Sequence, residues 1–188
     1  MTKIGIACED VSDYDALTIL IRRISGKHNI PFEKFLGNGC GKLLNKLDSY
    51  AKGLADKKCT ALIVVHDKDK EDLSTLEYKI KSKLEDCTIV HQLICIPVEE
   101  LEAWFLSDMK VVKNVFSLKK EPKAIANPES VVSPKEALAR IVRKNSEKRK
   151  ISISTIHNKR LAEGVNINQV SRKCSSFQIF SSFVSGLN

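Results

Sequence analysis

No two of the six cysteines form a C-x-x-C pair. Cys8, Cys40, Cys59, Cys87, Cys95 and Cys174 also keep no zinc-like spacing with His28, His66, His91 or His157. That argues against a zinc site or a disulfide framework and for reduced cytosolic thiols, several of them small core residues in apolar stretches. The apolar segment ahead of Glu9 and Asp10 is too short for a secretory h-region, no stretch approaches transmembrane length, and no internal repeat is present. The expectation is a cytoplasmic protein with no membrane partner.

What is present is a chain of 188 residues, 43% apolar and 29% charged, which reads as one soluble globular unit with a possible small appendage. A chain of this size hides roughly 70% of its unfolded surface and needs no disulfide or structural metal to be stable. Lys and Arg outnumber Asp and Glu by 31 to 23, and the surplus of +8, with a pI near 9.2, favours a polyanionic partner such as nucleic acid.

Apolar periodicity predicts strands over residues 3–8, 31–36, 60–66 and 88–96, the last ending at Pro97. Helices are expected between them. One runs from about residue 12 to 27, opened by a capping box at Ser12 and Asp15, with Leu17, Leu20, Ile21 and Ile24 inward. A second follows the glycines Gly37, Gly39 and Gly41 and turns Leu43, Leu44, Leu47, Tyr50, Ala51 and Leu54 inward. A third covers residues 73–84. The alternation implies parallel strands with right-handed crossovers. After Pro97 the strands stop, and helices are expected over residues 98–107, 134–144 and 167–184. The fold class is therefore α/β: a mostly parallel sheet of about four strands flanked by helices, with a helical C-terminal half. The expected division is a catalytic core over residues 1–108 and a helical extension packed on it over residues 109–188.

The chemistry sits where strands end. The run Ile4-Gly5-Ile6-Ala7-Cys8 delivers Glu9 and Asp10, and Ile63-Val64-Val65-His66 delivers Asp67 and Asp69. If both runs are parallel strands, these acids share the sheet edge where ligands of open α/β folds gather. Hard oxygen ligands converging on divalent ions about 3.5–4 Å apart are what two-metal phosphodiester chemistry needs, and Glu9, Asp67 and Asp69 can supply them. Taken alone, Asp67-Lys68-Asp69-Lys70 also reads as a polar strand-to-helix turn.

Glu9 with Asp13 after the first strand, then Asp67-x-Asp69 after the third, resembles the TOPRIM domain of topoisomerases, primases, ribosomal RNA maturases and OLD-family nucleases. Adding the Gly-x-Gly loop and Glu99-Glu100-Leu101-Glu102-Ala103-Trp104, the chain is similar over nearly its whole length to small stand-alone TOPRIM-like bacterial proteins, several near mobile elements or defence genes. The resemblance implies a nuclease using Mg²⁺ or Mn²⁺, with Glu9, Asp13, Asp67 and Asp69 as metal ligands and Glu9, Asp67, Asp69 and Glu102 as the catalytic acids. It also implies DNA or RNA as substrate and an ATPase or other defence-system protein as partner. One departure is Asp10, where TOPRIM chains usually carry glycine; Asp10 is then a further candidate ligand.

Glu99 and Glu102 lie three apart, so on a helix they share a face, although an acidic first turn favoured by the helix dipole explains Glu99 and Glu100 as well. Trp104 and Phe105 read as core. The loop at Gly39 and Lys42 opens a helix and suits phosphate, yet it fails the Walker pattern because Leu43 stands where Ser or Thr is required. Arg140, Arg143, Lys144, Lys148, Arg149 and Lys150 form the densest basic run, a candidate track for a polyphosphate backbone. Lys159 is a candidate transition-state cation, whereas His157 reads as structural.

Topoisomerase and primase activities are disfavoured: Tyr14, Tyr50 and Tyr78 all fall in helices, and no zinc or helicase-binding module is visible. Two other classes stay open. A receiver domain would use Glu9, Asp10 and Asp67 as a phospho-acceptor pocket, though Ile96-Pro97 lacks the hydroxyl and lysine such domains need; a haloacid-dehalogenase phosphatase would carry its Asp-x-Asp on the first strand. A catalytically silent module that binds nucleic acid or a protein is the remaining alternative.

Overall fold

In the computed structural model, which describes residues 2–68, 71–97, 100–146 and 153–187 apart from the Cys40 side chain, four strands form one parallel sheet. They are β1 (Ile4–Cys8), β2 (Phe32–Leu36), β3 (Ala61–Val65) and β4 (His91–Cys95), in the order β2-β1-β3-β4. β1 and β3 are wholly buried and lie side by side, with Ile6 opposite Ile63. Their near-continuous apolar runs are what central strands covered on both faces require.

Three helices connect the strands: α1 (Val11–Ser25), α2 (Cys40–Asp56) and α3 (Leu73–Lys83). Ala16, Leu17, Leu20 and Ile21 of α1 pack on the face bearing Ile4, Ile6, Ala61 and Ile63. Leu43, Leu47, Ala51 and Leu54 of α2, with Leu76 and Ile80 of α3, cover the opposite face at Ala7, Leu62 and Val64. The chain thus leaves β1 toward one face and β3 toward the other. That makes the β1–β3 junction the topological switch point, where a crevice opens beyond the carboxyl ends.

α1 starts at Val11 because Asp10, in extended backbone, caps it: its carboxylate accepts from the Ser12 and Asp13 amides at 2.6 and 3.1 Å. The capping residue is therefore Asp10, where a box at Ser12 was expected. α1 ends at Gly26, whose φ of +68° is the left-handed cap glycine accepts most readily.

The C-terminal half is helical: α4 (Glu102–Phe105), α5 (Met109–Phe116), a 3₁₀ turn (Pro128–Ser130), α6 (Pro134–Asn145), α7 (Thr155–Gly164), α8 (Ile167–Lys173) and α9 (Ser175–Gly186). It shares one core with the α1 face of the sheet, in which Trp104, Phe105, Phe177 and Phe180 are fully buried. Trp104 and Phe105 are core, as expected.

Three helical boundaries differ from expectation. The helix expected over residues 98–107 is a single turn, and α5 follows it because Asp108 caps a new start through the Lys110 and Val111 amides. The helix expected over residues 167–184 breaks at Cys174, in extended backbone, because Glu129 accepts from both the Ser175 and Ser176 amides and starts α9 afresh. α7 was not expected; Ser154 and His157 open it with a reciprocal capping box. No helix among the described residues is long and apolar enough to cross a membrane. The five cysteines whose side chains are described are free thiols.

Candidate functional site

Four acids from four segments meet at the switch point. Glu9 follows β1, Asp13 lies in the first turn of α1, Asp67 follows β3, and Glu102 begins α4. The apolar strands end there and the chain turns polar, so this end of the sheet carries the carboxylates.

Glu9 and Asp67 are physically joined. The Asp67 amide donates to Glu9 Oε1 at 3.3 Å, and the same oxygen lies 3.9 Å from His66 Nδ1. His66 is buried, and its Nδ1 is 2.7 Å from the Asp67 carbonyl oxygen, which fixes the ring and the turn together. Glu102 is 5% exposed, and Asn158 Nδ2 donates to its Oε1 at 3.1 Å.

These acids strain one another. Burial, then the charges of Asp10, Glu102 and Glu9, push the Asp13 carboxyl up to about 8. Burial, then Asp13, Glu9, Glu102 and Glu100, push Asp67 up to about 9. Burial also raises Glu102, offset by its hydrogen bond from Asn158 and by Lys135. Desolvation and mutual repulsion both disfavour the charged forms, so Asp13, Asp67 and Glu102 bind protons more tightly than free carboxylates do.

Other expected residues have definite places. Asp10 spends Oδ1 on capping α1. Glu100 accepts from the Lys135 amide at 2.8 Å and so caps α6 from outside. Lys159 pairs with Asp15 at 3.0 Å, while its neighbour Asn158 reaches Glu102. Gly39 caps α2 with φ +116°, and Lys42 is exposed one turn later. The loop before it is tied to the end of β1, since the Gly37 and Asn38 amides donate to the Cys8 and Glu9 carbonyls. Gly37 is required there, because a Cβ would sit 2.5 Å from that of Leu43. Arg140, Arg143 and Lys144 are exposed on α6. His157 stacks on Phe116 and serves the α7 cap, a structural role. Asp69, Glu99, Lys148, Arg149 and Lys150 lie outside the described residues.

Among the described residues, no group of three or more His, Cys, Asp or Glu side chains is arranged to hold a metal ion. The donor chemistry nonetheless suits one: hard carboxylate oxygens in excess, on a partly buried edge where each proton or cation relieves repulsion. Asn158 is the residue that sequence reasoning passed over. A neutral amide between His157 and Lys159 carries no motif, and only the packing of α7 along α1 brings it to the acids.

A protein-family model described as a domain of unknown function (DUF4276) matches residues 8–185. No curated protein and no solved structure matches the chain.

Proposed function

The chain belongs to the DUF4276 family of domains of unknown function, and we propose that its chemistry is metal-dependent phosphodiester hydrolysis on nucleic acid. The TOPRIM likeness is part of that proposal. The observation that carries it is the meeting of Glu9, Asp13, Asp67 and Glu102 at the β1–β3 switch point, with Asp13 and Asp67 pushed up to about 8 and 9.

Mg²⁺ or Mn²⁺, when bound, would neutralise phosphate charge and make a water a stronger nucleophile. Glu9, Asp13 and Asp67, with Asp69, are the ligands in this reading. In hydrolysis a water oxygen bonds to phosphorus, the bond to the leaving oxygen breaks, the water loses a proton and the leaving oxygen gains one. Glu102, buried and held by Asn158, is the group to handle one of those protons. Gly39 and Lys42 at the start of α2, and exposed Arg143 and Lys144 on α6, extended by Lys148 and Arg149, are the phosphate contacts. An ATPase or other defence-system protein is the partner class the proposal carries with it.

The test incubates the protein and its Asp67→Asn variant with plasmid, single-stranded DNA and RNA under Mg²⁺ or Mn²⁺. Cleavage by the wild type, lost in the variant, is expected. Cleavage that survives the substitution unchanged overturns the assignment, and nucleic-acid binding without cleavage by the wild type marks a silent binding module.

A further inference from the structure

Asn158 combines two features seldom found together. It is 2% exposed, and its Oδ1 is a buried atom with no hydrogen-bond partner among the described residues. Its Nδ2, by contrast, is doubly used, donating to Glu102 Oε1 at 3.1 Å and to Ser12 Oγ at 2.9 Å. The amide thus ties α7 to the first turn of α1, next to Asp13, and to α4. Chains seldom leave a buried acceptor unpaired, and where one persists a ligand or an ordered water is the usual reason. The two hydrogen bonds of Nδ2 account for the donor end of the amide, and it is the acceptor end that the described residues leave unused.

We propose that Asn158 Oδ1 is a neutral oxygen ligand of the divalent cation bound at the acid edge, while Nδ2 positions Glu102. Amide carbonyl oxygens serve Mg²⁺, Mn²⁺ and Ca²⁺ alongside carboxylates, and a neutral ligand adds coordination without adding to the repulsion already present. Glu102, Ser12 and Asn158 then act as one unit: the acid is aimed by the donor end of the amide and the cation is met by its acceptor end. Only folding brings the three together, since Asn158 is 146 residues from Ser12 and 56 from Glu102. This inference rests on the metal reading above.

The experiment is calorimetric titration of the full chain with Mn²⁺ alone, on wild type, Asn158→Leu and Asn158→Asp, with folding followed by circular dichroism. Asn158→Leu should bind Mn²⁺ about tenfold or more weakly, and Asn158→Asp should hold affinity within about threefold of wild type or better by keeping an oxygen. An Asn158→Leu variant that folds and binds Mn²⁺ as wild type does overturns this inference alone. If that variant does not fold, Asn158→Asp decides: wild-type affinity or better supports the ligand role, and a tenfold loss in a folded protein overturns it. No Mn²⁺ binding by the wild type overturns the metal reading itself and this inference with it.

Discussion

Acids stand at both ends of this sheet, and the two ends treat them in opposite ways. At the amino edge, Glu33 on β2 is gripped by Lys3 and Lys57, at 2.9 and 2.8 Å, and hydrogen bonds from those lysines hold its carboxyl down to about 2. At the carboxyl edge, Asp13 and Asp67 feel burial and other acids, and are pushed up to about 8 and 9. The first arrangement is complete within the chain. The second stores repulsion that folding alone does not relieve, and the proposed function rests on that difference.

The largest expected effect that sharpens this contrast is catalytic. Asp67→Asn should lower divalent-dependent nucleic-acid cleavage by about a hundredfold or more, whereas Glu33→Gln should leave it unchanged. Equal losses in both variants would erase the distinction between the two edges.

Next comes the pH dependence of stability without divalent cations. Asp13 and Asp67 bind protons more tightly folded than unfolded, so their contribution is fully present below the ordinary carboxylate range near 4 and is lost as pH rises through about 8 and 9. Glu33 has the reverse sign: its contribution is present above about 4.5 and lost as pH falls toward about 2. Thermal melts across pH should show a decline that begins near pH 4 and levels off above about 9, and added Mn²⁺ should lessen it. A flat profile across that window would contradict the repulsion.

A smaller effect follows for single substitutions at pH 8 without metal. Asp67→Asn should raise the melting temperature, since at that pH the Asp67 carboxyl must take up a proton or bear a disfavoured charge in order to fold, and an amide need do neither; screening at this half-buried group limits the gain to about 1 kcal/mol, or roughly 2–4 °C. A lower melting temperature would mean that the Asp67 carboxylate stabilises the fold. Smallest of all, Glu33→Gln should lower the melting temperature only slightly, because exposed ion pairs contribute little.

Much of this contrast could be read from the residues in order. β1 and β3 are apolar runs long enough to be central strands, and parallel pairing puts the acids that end them, Glu9 and Asp67, at one sheet edge. Asp10 was harder, because an acid after a strand can cap a helix or bind a metal, and only the Ser12 and Asp13 amides on its Oδ1 separate the two uses. What sequence could not show depends on distant partners. The break at Cys174 is made by Glu129, 46 residues from Ser175. Lys159 looked like the residue of α7 to reach the acids, but a helix turns by about 100° per residue, so its neighbour Asn158 takes that direction while Lys159 meets Asp15.

The Glu102-Ala103-Trp104 segment shows how the halves are joined. Glu102 points to the acid edge, and two residues later Trp104 Nε1 donates to Ser176 Oγ at 2.8 Å, within reach of Glu129 and the start of α9. One short turn therefore sets both a site residue and the docking of the last helix. Arg23 adds a second tie by donating from α1 to the Ala162 carbonyl of α7 at 2.6 Å.

The most direct measurement is Mn²⁺ calorimetry of the wild type at pH 7 in two buffers of different ionisation enthalpy. If the carboxyl edge is a proton-holding cluster awaiting a cation, binding should be detected and should release about one proton or more per ion. No uptake, or uptake with no proton released, would contradict it.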